Sequence, residues 1–316
     1  MGINNFDELL QQATRISERS ERPVRVAIAA ANDRAALEAI MDAKRLQLAD
    51  GLLIGHKNQI LKSLDEVNIR HDEFEIVEAN DEAGICRRTV QAIHNGEADI
   101  ILKGKVKTAT LLKAVMDAEH GLRTGRLISD TFVFEWPERQ DPNKLMIITD
   151  GGFNLAPDLN QKIQILENAV QVMHALGHPN PRVAVVSAVE TVNPALQSTV
   201  DAAILAKMNE RGQIKGCIVD GPLALDNAIS AEAAQQKGIQ SPVAGKADIL
   251  LFPNIESANL TAKGTTYFAK LRLAHATMGA RAPVLIPSRA DTADAKLLTL
   301  ALNVIICKQS SDPAER

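Results

Sequence analysis

Short apolar runs rich in β-branched residues alternate with longer amphipathic stretches along the whole 316-residue chain. Each run predicts a strand, and most neighbouring runs are separated by a helical stretch of ten or more residues. Because a parallel return needs a crossover, this alternation predicts mainly parallel sheets with helices on both faces. The predicted strands cover residues 24–30, 52–54, 74–77, 100–102, 132–134, 145–149, 183–189, 217–219, 249–252 and 284–286.

Two predicted helices have marked starts. Asp158 follows a proline and precedes a periodic stretch over 159–176, which a glycine and a proline then end. Asn193 followed by Pro194 places a capping side chain before a residue suited to the first turn. We therefore expect a second helix to open there and to run to about residue 209.

Length and composition limit the classes of protein that fit. The length corresponds to about two domains, and 46% hydrophobic with 23% charged residues indicates a globular chain. A net charge of −4 and 3% aromatic residues argue against nucleic acid as a partner. The polar, proline-bracketed segment 136–142 is the best linker candidate, so we expect a domain boundary near it.

The sequence predicts a cytoplasmic protein. It holds no run of about 20 apolar residues that could span a bilayer, and residues 1–8 do not resemble a secretory signal. Cys86, Cys217 and Cys307 form no CxxC pair, so neither a disulfide framework nor a thiolate zinc site is indicated.

A basic turn follows the predicted strand 100–102 and leads into a helix. The turn contains three lysines and two threonines, and the helix carries one more lysine, Lys113. The residues of the turn are Lys103, Lys105, Lys107, Thr108 and Thr110. A helix N-terminus with lysines beside it favours an anion. An anion site and a solvated basic turn fit this segment equally well.

Three other predicted strands end in polar or glycine-rich residues. Asp150 follows 145–149 and Asp220 follows 217–219, each with glycine next, which suits either close approach of a ligand or an ordinary turn. After 284–286 come a hydroxyl, a guanidinium and two carboxylates, namely Ser288, Arg289, Asp291 and Asp294. These could bind phosphate, although a helix start with Asp at its positive end fits them somewhat better.

Several common motifs are missing from the sequence. It has no GxGxxG after a strand, no GxxxxGK[ST], no GxSxG and no HExxH. His174 and His178 have the spacing of a ligand pair, but Gly177 breaks the helix that would align them, so we interpret them as surface histidines. The chemistry that fits best is direct transfer between two bound substrates, at least one of them phosphorylated.

Taken together, the strand-end segments resemble the phosphate acetyltransferase and phosphate butyryltransferase family. The matching stretches are ILKGKVKTATLLKAV (101–115), GPLALDNAIS (221–230), ADILLFPNIESANLTAK (247–263) and PSRADTADAK (287–296). The first stretch, together with GLRTGR (121–126) and ITDGGFNLAPDLNQK (148–162), is more similar to the butyryl branch.

The resemblance implies a fold and a reaction. The implied fold has two three-layer α/β/α domains with mainly parallel sheets and an active site in the cleft between them, as in isocitrate and isopropylmalate dehydrogenases. Residues 1–129 and 281–316 would form domain I, and residues 130–280 domain II. The reaction interconverts a short-chain acyl-CoA plus phosphate with an acyl phosphate plus CoA. Coenzyme A is a substrate here, no cofactor or metal is needed, and a homodimer or higher homo-oligomer is expected.

The resemblance also assigns roles to residues. Ser288 would donate to the reacting centre, and Arg289 would bind phosphate or the acyl phosphate. The general base of the acetyl branch is an Asp seven residues after the motif serine, where this chain has Ala295. Asp294 and Asp291 are the substitutes, and we favour Asp294. The implied substrate-binding residues are Lys103, Lys105, Thr108, Lys113, Asp150, Asp220 and Asn259, with Lys113 where the acetyl branch carries an arginine.

Two other functions fit a similar architecture. One is a metal-dependent NAD(P) dehydrogenase of the isocitrate or hydroxythreonine phosphate type, which would need clustered carboxylates for a divalent cation. The other is an acyl-CoA sensor that keeps the basic binding site but catalyses no reaction. The acyl-chain length also stays open, because one methylene is worth only about 1 to 3 kcal/mol in discrimination.

Overall fold

A computed structural model describes residues 2–20, 22–136, 144–287 and 291–309. The helices are α1 (Phe6–Glu18), α2 (Arg34–Arg45), α3 (Lys57–Glu66), α4 (Glu82–His94), α5 (Thr108–Val115), α6 (Leu159–Ala175), α7 (Gln197–Glu210), α8 (Leu225–Ile229), α9 (Ala231–Gln236), α10 (Ile255–Tyr267) and α11 (Ala293–Gln309). The strands are β1 (Arg25–Ala29), β2 (Asp50–Gly55), β3 (Glu75–Glu78), β4 (Ile100–Lys103), β5 (Ser129–Trp136), β6 (Lys144–Thr149), β7 (Arg182–Val186), β8 (Ile218–Leu223), β9 (Ile249–Leu251), β10 (Leu273–Met278) and β11 (Val284–Leu285). Over these residues, none of the helices has the length and apolarity needed to cross a membrane.

The chain divides into two compact units. The five-stranded unit comprises Asp7–Arg126 and Ala274–Arg316, and the middle unit comprises Met1–Phe6 and Leu127–Leu273. The N-terminal residues join the middle unit through the backbone N–H of Ile3, which donates to the Leu176 carbonyl at 2.7 Å. Strand β10 begins at the last residue of the middle unit.

The five-stranded unit contains a parallel sheet of order β11-β4-β1-β2-β3. Its central strands are almost fully buried, as their continuous apolar runs predict. Helix α2 begins where the Asp33 carboxylate accepts a hydrogen bond from the Ala36 N–H at 2.9 Å. Helix α11 packs on α2, so the last part of the chain returns to this unit.

The strands of the middle unit pair in the order β5-β6-β9-β7-β8, and only β5 and β6 are antiparallel within this group. Helix α6 starts with a capping box between Asp158 and Gln161, at the residue that the sequence predicts. The two sheets confirm the predicted fold class, which is α/β with mainly parallel strands and helices.

Two local elements differ from the prediction, one in where it starts and one in that it was missed. Of the linker predicted at 136–142, Trp136 is the last residue of β5, and the other residues lie outside the described part of the chain. Helix α7 begins at Gln197 rather than after Asn193, because the Asn193 carboxamide accepts the Ala195 N–H at 2.9 Å in a preceding turn. Strand β10 was not predicted, because its run LAHATM interrupts the apolar pattern with polar residues.

Candidate active site

A basic cavity of about 830 Å³ lies at the carboxyl edge of the parallel sheet in the five-stranded unit. In parallel α/β sheets this is the edge where ligands bind. The segments that follow β1 and β4 form one wall, and α3 forms another. The charged side chains lining the cavity are Asp33, Arg34, Lys62, Glu66, Glu82, Lys103, Lys105 and Lys107.

The turn after β4 is hydrogen-bonded to the end of β1. The backbone N–H of Gly104 donates to the Ala29 carbonyl at 3.0 Å, and that of Lys105 donates to the Ala30 carbonyl at 2.9 Å. A Cβ on Gly104 would lie 2.4 Å from the Ala30 oxygen, so only glycine fits this approach. The close crossing holds Lys103 and Lys105 on either side of Gly104 at the cavity.

Cations dominate the charge that the cavity presents. The Glu82 carboxylate is engaged by the same turn, since its Oε1 accepts the Thr110 hydroxyl at 2.5 Å and the Lys107 N–H at 3.4 Å. Lys62 and Lys105 line the cavity and have no ion-pair partner among the residues that the structure describes. Such a cavity favours a ligand with several negative charges, for example one that carries phosphates.

Sequence reasoning found the part of the lining that follows β4 and missed the parts that follow β1 and lie on α3. Lys103 and Lys105 line it, whereas Thr108, the first residue of α5, and Lys113, in its last turn, are exposed and lie outside the lining. Arg34 and Lys62 were not predicted. The available signal was Asp33, a helix cap directly after a predicted strand, which marks a second helix start at the same sheet edge.

The segment that carries the resemblance to the family's catalytic motif follows β11. Residues Leu285 and Leu102 are register partners, so β11 runs beside the strand that leads into the basic turn. Ser288 and Arg289 lie outside the described residues. Asp291 Oδ2 is 3.9 Å from His275 Nε2.

The other carboxylate predicted beside the motif, Asp294, lies in the first turn of α11 and is exposed. Ala295 follows it, and the Ala295 N–H donates to the Thr292 hydroxyl at 3.1 Å. Asp294 is therefore exposed to solvent directly beside Ala295, the position at which the acetyl branch carries its general base.

In the middle unit the structure brings Asp150 and Asn259 together. Asp150 is 3% exposed, and its carboxylate accepts the N–H groups of Gly152, Phe153 and Asn154 at 2.9, 3.2 and 3.0 Å. Asn259 Nδ2 donates to the Gly151 carbonyl at 2.8 Å. Both side chains therefore build the turn after β6, and the Asp150 carboxylate accepts backbone N–H groups together with the side-chain amide of Asn154.

Asp220 lies apart from that pair, on β8 at the edge of the sheet. The sequence places it after a strand over 217–219, but β8 covers Ile218–Leu223 and includes it. An edge strand tolerates the Gly221-Pro222 pair, and the register between β7 and β8 shifts here, so that the pairs on either side are Ala184 with Asp220 and Val186 with Leu223. Asp220 Oδ1 accepts the Gly221 N–H at 2.8 Å.

The cysteines are poorly suited to act as nucleophiles. Burial raises the pKa of each thiol to about 11, so almost none is thiolate at neutral pH. Across the described ranges, no group of three or more His, Cys, Asp or Glu side chains could hold a metal ion.

Comparisons with known proteins agree with the resemblance noted in the sequence. The family model described as "Phosphate acetyl/butaryl transferase" matches residues 85–304. A phosphate butyryltransferase from Clostridium beijerinckii is 44% identical over 309 residues, which covers 97% of this chain and 99% of the relative. A phosphate acetyltransferase from Thermotoga maritima is also 44% identical, over 89% of this chain and 94% of the relative.

A solved structure is similar over nearly the same extent. The crystal structure of a branched-chain phosphotransacylase from Enterococcus faecalis V583 superposes with a TM-score of 0.79 at 29% identity. The match covers 90% of this chain and 99% of that chain.

Proposed function

The chain belongs to the phosphate acetyl/butyryl transferase family and is a phosphate acyltransferase, and we propose that butyryl-CoA is its preferred substrate. The basic cavity beside β4 supports coenzyme A as the carrier of the acyl group, because its cations suit the phosphates that all acyl-CoA substrates share. Similarity of 101–115, 121–126 and 148–162 to the butyryl branch supports the choice of acyl group. The matched Enterococcus protein is named for branched-chain substrates, so isobutyryl-CoA belongs in the test.

We propose that the acyl group passes directly between the two substrates. A phosphate oxygen attacks the thioester carbonyl, a C–O bond forms, and the C–S bond then breaks to release CoA as a thiolate that takes up a proton. The raised pKa of the three cysteines disfavours an acyl-cysteine intermediate. Direct transfer requires both substrates to be bound at once.

The roles of the motif residues follow from the family resemblance. Ser288 donates a hydrogen bond to the oxyanion of the tetrahedral intermediate, and Arg289 binds the phosphate. Asp294 exchanges the thiol proton. Asp294 is favoured over Asp291 because it is exposed, whereas the Asp291 carboxylate is near His275.

The decisive experiment measures free thiol released from acyl-CoA in the presence of phosphate. We expect the highest kcat/KM with butyryl-CoA among acetyl-, propionyl-, butyryl- and isobutyryl-CoA. Replacing Ser288→Ala removes one oxyanion donor and should cost about 2 to 4 kcal/mol of transition-state stabilisation. No thiol release with any of the four thioesters would reject the proposal, and unchanged kcat in the variant would remove Ser288 from this role.

The basic cavity is tested separately through binding. We expect Lys105→Gln to raise KM for acyl-CoA about fivefold with little change in kcat, because the phosphates of CoA are remote from the reacting carbonyl. Lys57→Gln is the matched control, since Lys57 is exposed on α3 but outside the cavity lining. Equal KM values in the two variants would place coenzyme A elsewhere.

We propose that the protein acts as a homodimer. Helix α10 carries an exposed apolar stripe in which Leu260 is 70% exposed, Tyr267 52% and Phe268, directly after the helix, 92%. With Gly264 these residues follow the i, i+4, i+7, i+8 spacing of one helix face. Exposed apolar stripes of this kind typically mark protein–protein contacts.

A further inference from the structure

A second cavity, of about 950 Å³, lies wholly within the middle unit at the carboxyl edge of its parallel strands. The segments that follow β6, β7, β9 and β8 all contribute to it, and α6 and α7 form its sides. The mechanism proposed above uses none of its residues. We call it the middle-unit cavity.

One wall of the middle-unit cavity is apolar. The side chains that form it are Val186, Leu196, Ile204, Leu225, Phe252 and Pro253. Ile204 and Leu225 remain 39% and 37% exposed at its rim. An apolar group placed there would bury these side chains as well as itself.

The lining also includes a buried lysine whose ammonium has hydrogen-bond donors to spare. Lys162 is 5% exposed, and its ammonium donates to Asp201 Oδ2 at 2.6 Å. Gln197 Nε2 donates to the other oxygen of the same carboxylate at 2.8 Å. An ammonium has three donors, and within the described part of the chain Nζ of Lys162 has this one partner. Burying an ion pair is favourable only where its remaining donors are also satisfied.

Further donors converge on the same cavity. Helix α7 begins there without a side-chain cap, because Leu196 holds the N-cap position. The hydroxyls of Ser187 and Ser198 lie 2.7 Å apart and both line the cavity. The third titratable group of the lining, Asp158, is exposed and accepts the Gln161 N–H in the capping box of α6.

We propose that the middle-unit cavity binds a small amphiphilic carboxylate. The carboxylate accepts the spare donors of Lys162 and the open end of α7, and the apolar tail lies against the wall that contains Ile204 and Leu225. We expect a monoanion, because a single carboxylate is enough to accept the spare donors of Lys162 and the open end of α7. This site is distinct in its residues and its ligand from the basic cavity, and it does not depend on the proposed acyl preference.

The test is calorimetry on the full chain with hexanoate, and with hexanamide as the uncharged analogue of the same length. We expect hexanoate to bind with a Kd of about 1 mM or tighter, an ordinary affinity for so small a ligand, and hexanamide at least about 10-fold more weakly. Equal binding of the two compounds, or no heat with hexanoate up to about 10 mM, overturns the proposal.

Three variants locate the site. Lys162→Met should weaken hexanoate binding about 10-fold or more, because a charge-assisted hydrogen bond is lost. This change strands the Asp201 carboxylate and could prevent folding, so Ile204→Trp is used as well, which fills the cavity from a side chain already 39% exposed. It should weaken binding by a similar factor. Lys207→Gln, on the same helix in an exposed pair with Glu210, is the matched control and should leave the Kd within about twofold. Unchanged binding in Ile204→Trp would place the ligand elsewhere.

Discussion

Replacing Asp150→Asn tests whether this carboxylate serves the fold of the middle unit. Oδ1 accepts the N–H groups of Asp130, Gly152 and Phe153, and Oδ2 accepts the N–H and the side-chain amide of Asn154. An asparagine keeps one oxygen, so its NH₂ group must face at least two of these donors. At about 1.5 to 3 kcal/mol for each charge-assisted bond, the variant should lose about 3 to 6 kcal/mol.

Urea unfolding followed by tryptophan fluorescence measures this loss. Trp136 is the only tryptophan of the sequence and lies on β5, so the signal reports the unit that contains Asp150. With a slope near 3 kcal/mol/M, the midpoint should fall by about 1 to 2 M. Asp220→Asn is the control, because within the described ranges its carboxylate accepts one hydrogen bond, from the Gly221 N–H, which the amide oxygen can also accept. A loss below about 1 kcal/mol in Asp150→Asn would refute the structural role.

Three further outcomes are expected. Gly104→Ala should destabilise the protein by about 1 to 3 kcal/mol and raise KM for acyl-CoA, because the added Cβ would clash with the Ala30 oxygen. Thermal unfolding measures the loss of stability, and initial rates measure KM. A variant with wild-type stability and wild-type KM would contradict this expectation. Phe268→Ser should shift the protein to monomer in light scattering, whereas an unchanged mass would remove α10 from the dimer contact. The three thiols should resist iodoacetamide at neutral pH until urea is added. Burial raises the pKa of each thiol to about 11, above its value in the unfolded chain. Their contribution to stability is therefore present below about pH 9 and is lost as the pH rises towards 11, which urea titrations at alkaline pH would show.

The repeating elements of the fold could be predicted because each is encoded locally. The buried runs of β1, β2 and β4 are continuous and apolar, and the capping box at Asp158 fixes the start of α6 within its own four residues. The start of α7 was mispredicted because Asn193 has the same side-chain chemistry in a turn as at a helix cap. Local sequence does not distinguish these two uses.

The candidate site was predicted only where one segment supplies it. Lys103 ends β4 and Lys105 lies in the turn directly after it, so a predicted strand followed by a basic helix start was enough to find both. Lys62 reaches the same cavity from α3, and that proximity depends on the order of strands in the sheet. Asp150 and Asp220 look alike in sequence, because each is an aspartate before a glycine. In the structure Asp150 is buried in a turn, whereas Asp220 lies on an edge strand.

The order in which the chain is synthesised has a consequence for the five-stranded unit. Strand β11 pairs with β4, and α11 packs on α2, across most of the length of the polypeptide. During translation the whole middle unit leaves the ribosome before β11 and α11, the last strand and helix of the five-stranded unit, have been synthesised. Until β11 and α11 have been synthesised, β4 exposes an unpaired edge beside the basic turn, so we expect chains that lack these two elements to aggregate through that edge and chains that contain them to be protected from it.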